Sequence, residues 1–234
     1  MQAGQRTVQD ELERALRIVL RRPTVALTVA GRTDAGVHAS AQVASYAGRP
    51  VAPSALNALL PEDVAVIACE AAAPGFSARH NARSRAYCYR LLTRPSRSAH
   101  EPDAVLHWRR PIDRARLDAC ASALVGTHDF TAFTPAETVH VRFSREVLAA
   151  FWRSAGPDHL EFWIEADAFL RHMNRVLVGT MLEVARGRRS VETFRALLAG
   201  RPRSQAGPTA PARGLHLVAV AYDGQRVGAP LPSR

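Results

Sequence analysis

The sequence predicts an α+β protein made of two similar halves, and three observations support this class. Segments whose apolar residues recur at helical spacing are interspersed with shorter segments in which apolar and polar residues alternate, as in half-buried strands. The content of 47% hydrophobic and 22% charged residues is typical of a folded globular protein. Because a stretch rich in Pro, Ser, Arg and His separates similar patterns, we predict an N-terminal half at 1–92, a linker at 93–104 and a C-terminal half at 105–234.

The N-terminal half is predicted to begin with a helix. Thr7 is a suitable N-cap, and the helical pattern continues to about Leu20. The remaining elements predicted in this half are strands at 24–30 and 42–46, a short helix at 54–60, and strands at 64–69 and 85–92.

The C-terminal half is predicted to combine helices and strands in a similar way. Its elements are a helix at 113–124, strands at 145–152 and 160–166, a long helix at 168–186, a short helix at 191–198 and a final strand at 215–222. The two halves therefore each supply strands and helices for a core.

The charge balance points to an acidic partner. The net charge is +10, and all 31 basic residues are arginine. A GC-rich coding sequence would explain arginine in place of lysine, but it would not explain the sign of the net charge. Since arginine binds phosphate through paired hydrogen bonds, we expect a phosphate-rich partner such as RNA, with binding that weakens as salt rises.

Other classes of protein are disfavoured. No stretch approaches the roughly 18 consecutive apolar residues of a membrane span, and no secretory signal is visible, so we expect a cytoplasmic protein without membrane contact. The three cysteines, Cys69, Cys88 and Cys120, are far apart and form no CxxC pair. Neither a zinc site nor a disulfide framework is therefore expected.

Residues 31–39 form the strongest candidate for a functional site. They read Gly-Arg-Thr-Asp-Ala-Gly-Val-His-Ala and are predicted to form a tight loop between two strands. A rigid sheet could hold the carboxylate of Asp34 in a cleft there, with Arg32 two residues away. A turn in which Asp34 bonds only its own backbone is the alternative interpretation.

Four further segments follow this loop in order. They are 76–79 with 85–89, 126–133, 169–179 and 207–215. Together with 31–39, they resemble the ordered motifs of the tRNA pseudouridine synthases of the TruA family, over about 6–222. In that family the aspartate of the first motif is the essential catalytic residue, and it corresponds to Asp34.

The resemblance implies two ferredoxin-like halves with antiparallel sheets that flank a central catalytic cleft. It also implies an isomerase that converts uridine to pseudouridine at positions 38, 39 and 40 in the anticodon arm of tRNA. A homodimer, with the tRNA crossing both subunits, is implied as well. The isomerisation has no redox step and no net hydrolysis, so neither a cofactor nor a metal is expected.

This chemistry requires a carboxylate, a pocket for the detached uracil and a group that removes the C5 proton. Asp34 could attack C1′ of the ribose, attack C6 of the base or abstract a proton, and Arg32 could pair with it or contact a phosphate. Tyr87 is predicted to lie under the flipped base, and Leu215 to close the pocket as an apolar wall. The predicted RNA contacts are Arg79, Arg83, Arg85, Arg171 and Arg175.

One departure from the family pattern leaves an alternative function open. Family members usually begin with a strand and a Tyr-Asp-Gly…Gly-Trp-Gln segment, whereas this sequence begins directly with a helix. We therefore expect the first strand to be missing. A non-catalytic RNA-binding remnant of the same family is the alternative to an active isomerase, and a glycosidase-like hydrolase is disfavoured because no second carboxylate accompanies Asp34.

Overall fold

The computed structural model describes residues 6–138 and 140–222. The helices in these ranges are α1 (Val8–Leu20), α2 (Pro53–Asn57), α3 (Arg114–Leu124), α4 (Met173–Ala185) and α5 (Val191–Leu197). The strands are β1 (Thr28–Val29), β2 (His38–Ala39), β3 (Ala44–Ser45), β4 (Ser84–Leu92), β5 (Leu106–His107), β6 (Gly126–Asp129), β7 (Ser144–Ser154), β8 (His159–Ala166) and β9 (Leu215–Ala221). The predicted α+β class is confirmed, whereas the two ferredoxin-like halves and the central cleft stay predictions.

The described residues form two compact units. Among the described residues, the smaller unit contains 6–32 and 43–82, and the larger contains 33–42, 83–138 and 140–222. Strand β4 belongs to the larger unit because it pairs with β8 and β9 there. The loop that carries Asp34 belongs to the same unit. A division at 93–104 stays a prediction.

In the smaller unit, α1 is confirmed from end to end. Its N-cap is Thr7, whose hydroxyl accepts a hydrogen bond from the backbone N–H of Asp10 at 3.1 Å. The strand predicted at 24–30 is reduced to the two residues of β1 because side chains of α1 occupy the backbone groups of Leu27. Glu13 accepts from its N–H at 3.0 Å, and Gln9 donates to its carbonyl at 3.2 Å.

The prediction of a strand at 64–69 was wrong. The amide of Asn57 donates to the carbonyl of Val66 at 2.9 Å and accepts from its N–H at 2.7 Å. The Asn57 side chain thus makes the hydrogen bonds to Val66 that a neighbouring strand would otherwise make. The strand predicted at 42–46 is likewise reduced to β3, which pairs antiparallel with β1.

The larger unit is built on a mixed sheet in the order β2-β9-β4-β8-β7-β6, with β5 beside the end of β4. The pairs β2–β9 and β4–β5 are parallel, and the other neighbours are antiparallel. Side chains of the sheet pack with α3, α4 and α5 into one core, whose fully buried members include Leu117, Phe162, Leu177 and Phe194. Burial of these apolar surfaces is the main force that holds the sheet and helices together.

Most elements predicted for this unit are confirmed to within about three residues. The long helix is the exception, since α4 begins at Met173 and not at 168. His172 has a left-handed backbone with φ 61°, which interrupts a helix. The carboxylate of Asp167 accepts from the N–H groups of Ala168 and Glu146, which stabilises a non-helical approach to α4. Within the described ranges, no helix is both long and apolar enough to cross a membrane.

Candidate active site

Asp34 lies in a tight turn immediately before β2. Its carbonyl accepts a hydrogen bond from the N–H of Val37 at 3.1 Å. Gly36, the third residue of the turn, has φ 79°, which glycine adopts without a steric penalty and which a type II turn requires at this position. The turn thus closes through backbone groups, and the carboxylate of Asp34 is left to bond elsewhere.

The carboxylate of Asp34 is held by Arg175, in the first turn of α4. Nη1 of Arg175 donates to Oδ2 of Asp34 at 2.8 Å. Nε of the same guanidinium donates to the carbonyl of Ala210 at 2.8 Å, and the N–H of Ala210 donates back to the carbonyl of Arg175 at 3.0 Å. The Arg175 side chain is only 17% exposed, against 30% for Asp34. One carboxylate is therefore accessible from solvent and held by a largely buried cation.

The loop at 207–214 reaches Arg175 because two close contacts fix its position. A Cβ on Gly179 of α4 would collide with the carbonyl oxygen of Pro208, so the loop lies directly on the helix backbone at that point. The hydroxyl of Tyr89 on β4 donates to the carbonyl of Pro211 at 2.7 Å. The carbonyl of Ala210, between these contacts, is consequently well placed for Arg175.

His172 is a second neighbour of the Asp34 carboxylate. Its Nε2 lies 3.4 Å from Oδ2 of Asp34. Burial lowers the pKa of His172; the charge of Asp34 acts in the opposite direction, whereas Arg175 and Arg171 reinforce the lowering. The imidazole is therefore mainly neutral at neutral pH, and it contacts the carboxylate without adding a second full positive charge.

Tyr87 and Leu215 both belong to the central strands of the sheet. Tyr87 is 7% exposed, and its ring meets the edge of Phe169 at a centroid distance of 5.0 Å and an interplanar angle of 79°. Leu215 is buried and lies opposite Tyr89, whereas Leu217 lies opposite Tyr87. Tyr87 and Leu215 are thus on adjacent strands, but Leu215 is two residues away from the position directly opposite Tyr87.

The charge of Asp34 acts on the hydroxyl of Tyr87. Burial raises the pKa of Tyr87 to about 12, and the charges of Arg85 and Asp34 act in opposite directions on it. The phenol therefore remains protonated at neutral pH and can serve as a hydrogen-bond donor.

The other predicted residues are more widely distributed. Arg32 and Arg79 are exposed residues of the smaller unit. Arg83 and Arg171 are exposed in the larger unit, and Arg85 donates to the carbonyl of Asp167 at 2.9 Å. Among the described residues, no group of three or more His, Cys, Asp or Glu side chains is arranged to hold a metal ion.

Sequence reasoning did not anticipate the contacts of Arg175 and His172 with Asp34. Arg175 was predicted to contact RNA, and Arg32 was considered as the partner of Asp34. The guanidinium bonded to Asp34 belongs to Arg175, 141 positions along the chain. The available signal was that both residues lie in one of the ordered motifs, at 169–179, but no spacing within that motif relates them to the Asp34 loop.

A solvent-accessible carboxylate held by a largely buried arginine is a candidate catalytic arrangement. A family model described as tRNA pseudouridine synthase matches residues 120–223. A protein of Thermus thermophilus named tRNA pseudouridine synthase A is 43% identical over 232 residues, covering 96% of this chain and 90% of the relative. A protein of Bacillus pumilus with the same name is 37% identical over 230 residues, covering 95% and 92%. One of Moorella thermoacetica is 41% identical over 221 residues, covering 92% and 89%.

The chain therefore belongs to the tRNA pseudouridine synthase A family, a family of isomerases.

Proposed function

We propose that this protein isomerises uridine to pseudouridine at positions 38, 39 and 40 in the anticodon arm of tRNA, with Asp34 as the catalytic carboxylate. The observation that carries the proposal is the Asp34–Arg175 pair, in a chain whose relatives are named tRNA pseudouridine synthase A. The carboxylate is accessible to a substrate, and the arginine that bonds it is anchored on Ala210.

The reaction breaks the bond between N1 of uracil and C1′ of the ribose, turns the base and forms a bond from C5 to C1′. The proton of C5 is lost and N1 gains one, so no oxidant or reductant is involved. Asp34 supplies a negatively charged oxygen for this sequence, either as a nucleophile at C1′ or C6 or as a base. Arg175 keeps that oxygen in position throughout, because two of its nitrogens are bonded at once.

The target uridine must leave its stack before it can reach Asp34. We assign Tyr87 as the aromatic surface for the flipped uracil and as a hydrogen-bond donor to it, since its hydroxyl is protonated at neutral pH. Leu215 supplies an apolar wall on the neighbouring strand. Arg32, Arg79, Arg83, Arg85 and Arg171 are proposed to bind RNA phosphates, which the net charge of +10 favours.

A non-catalytic RNA-binding protein of the same family is the alternative, and one experiment separates the two. Anticodon-arm RNA tritiated at C5 of uridine should release tritium with the wild-type chain. Asp34→Asn should abolish release while RNA binding, measured by filter retention, stays near the wild-type value. Asp118→Asn, the same chemical change in a surface ion pair on α3, is the control and should retain turnover.

Binding without release by the wild-type chain would support the non-catalytic alternative. Loss of binding and turnover together in Asp34→Asn would exclude a purely chemical role for Asp34. Substrates that carry a single uridine at position 38, 39 or 40, or one uridine outside the arm, would test the proposed positions.

The homodimer implied by the resemblance and the cytoplasmic location expected from the sequence also stay proposals. Sedimentation velocity across a range of protein concentrations would test the dimer.

A further inference from the structure

A cleft of about 440 Å³ lies at the other end of α4 from the candidate active site. It is lined by Arg116 of α3 and by residues 187–192, which include Arg188, Arg189 and Glu192. Asp34 is bonded at the first turn of α4, and the helix has 13 residues. At about 1.5 Å per residue, the two ends of the helix are roughly 20 Å apart. The cleft is therefore distinct from the site around Asp34.

The end of α4 brings several arginines into this cleft. Gly187 has φ 71°, and its N–H donates to the carbonyl of Val184 at 2.9 Å. The N–H of Arg188 donates to the carbonyl of Glu183 at 3.0 Å, which completes a helix-ending turn of the Schellman type. A Cβ on Gly187 would lie 3.1 Å from Nη1 of Arg116. Glycine thus allows the chain to turn sharply and Arg116 to approach closely.

Beside the cleft, two more arginines lie near one indole ring. The guanidinium carbons of Arg110 and Arg186 are each 6.0 Å from the ring centroid of Trp108. Contacts at this distance are favourable for a cation and an aromatic face. Two side chains of the same charge thus lie near one ring. Desolvation lowers the pKa of Arg186, the charges of Arg110 and Arg188 add to that effect, and the charge of Glu183 opposes it.

Carboxylates neutralise only part of this charge. Arg116 pairs with Asp113 at 3.0 Å, and Arg189 pairs with Glu183 at 3.2 Å. Glu192 also lines the cleft. In the part of the chain that the structure describes, no salt bridge joins Arg110, Arg186 or Arg188 to a carboxylate. Codon usage explains why these residues are arginine and not lysine, but it does not explain why they are gathered in one place.

We infer that Arg110, Arg186 and Arg188 form a second RNA-binding surface, which holds backbone phosphates of the tRNA outside its anticodon arm. Guanidinium groups bond phosphate oxygens in pairs, and a polyanion relieves the mutual repulsion of gathered cations. A folded tRNA is long enough to reach both this surface and Asp34. The inference rests on the proposed function for the choice of tRNA as the ligand.

The test is the triple variant Arg110→Gln, Arg186→Gln, Arg188→Gln, assayed with a full-length tRNA and with the isolated anticodon stem-loop. The matched control replaces Arg97, Arg142 and Arg201, three exposed arginines outside the cleft, so that the net charge falls equally. For the cleft variant we expect KM for full-length tRNA to rise on the order of tenfold while kcat is unchanged, because phosphate contacts position the RNA. The KM for the stem-loop should stay at the wild-type value.

Salt dependence provides a second readout. Each lost phosphate contact should lower the magnitude of the slope of log affinity against log salt by about 1. For full-length tRNA, the slope of the cleft variant should therefore be smaller in magnitude than that of the wild type by about 2 to 3. Thermal unfolding of both triple variants should match that of the wild type.

Three outcomes would overturn the inference: an unchanged KM for full-length tRNA, an equal rise in KM for the stem-loop, or an equal effect of the control variant. A wild-type chain that binds tRNA but does not turn it over would contradict the proposed function instead. In that case the binding constants and salt slopes of the two triple variants would still decide the role of the cleft.

Discussion

At the scale of single residues, Arg175 connects two parts of the candidate site. Its guanidinium is bonded at the same time to the Asp34 carboxylate and to the carbonyl of Ala210. A planar guanidinium can do this because its nitrogens point in fixed, different directions. The orientation of the carboxylate thus depends on a loop more than 170 positions further along the chain.

Arg175→Lys should therefore impair catalysis although the charge is kept. One ammonium group on a flexible stem cannot reproduce both bonds, and a displacement of about 1 Å at a reacting group can lower a rate about a hundredfold. We expect kcat to fall on the order of a hundredfold in the tritium-release assay, with a smaller change in KM. Arg195→Lys, the same change at an exposed position on α5, is the control and should retain kcat. Wild-type kcat in Arg175→Lys would show that the two bonds do not position Asp34 for the reaction.

At the scale of elements, α4 and the loop at 207–214 are packed and hydrogen-bonded together. The loop lies against Gly179, and the N–H of Gly207 donates to the hydroxyl of Thr180 at 3.0 Å. Thr180 in turn donates to the carbonyl of Val176 at 2.7 Å. The absence of a side chain at Gly179 therefore sets how near the loop comes to the helix, and thereby where Ala210 meets Arg175.

Gly179→Ala should consequently reduce both stability and activity. In an exposed helix this change is stabilising, but here the added methyl group would overlap the carbonyl oxygen of Pro208. We expect the free energy of unfolding to fall by roughly 1–3 kcal/mol, as for other overpacked cores, and kcat to fall with it. Urea unfolding and tritium release would measure the two effects.

Val178→Ala provides the control for that experiment. Val178 lies on the same helix and is fully buried in the core of the larger unit. Its truncation should therefore lower the free energy of unfolding by about 2 kcal/mol through lost packing. It adds no atom against the loop, and kcat should be retained under conditions where the protein is folded. Equal loss of kcat in the two variants would mean that stability alone, and not the loop position, limits activity.

At the scale of the whole molecule, buried histidines link stability to pH. Burial lowers the pKa of His216, and the hydrogen bond to the carbonyl of Ala104 only partly opposes this. The pKa of His172 is also lowered mainly by burial. The native protein therefore binds fewer protons than the unfolded chain, in which these groups titrate near 6.5.

The sign of the pH dependence follows from this difference. The free energy of unfolding should fall as pH decreases below about 7 and through 6.5, and should level off once pH is below the folded-state pKa values. Urea unfolding at several pH values between about 5 and 8 would measure the slope. His216→Gln, which keeps a donor for Ala104, and His172→Asn, which tolerates a left-handed backbone, should each reduce the slope. A slope unchanged in the double variant would show that other groups cause the dependence.

Much of the fold could be predicted from local sequence because local contacts produce it. Thr7 caps α1 through a bond to a residue three positions away, and the long strands of the larger unit follow their alternating pattern. Asp34 could be predicted as a candidate from sequence because its loop resembles a family motif and contains its own turn-forming Gly36. The predictions failed where distant groups replaced a local pattern, as when Gln9 and Glu13 took the backbone groups of Leu27.

The sequence by itself therefore determined the α+β class and most elements of the larger unit, and it predicted Asp34 as the candidate acidic residue. Only the tertiary structure decided which cation holds that residue, because Arg175 is 141 positions away from Asp34 and the two are brought together by the packing of α4. The basic surface at the end of α4 was likewise undetectable as a cluster, since Arg110, Arg116 and residues 186–189 come from separate segments. Contacts between distant segments depend on how whole elements pack, and no periodicity or spacing within one segment encodes them.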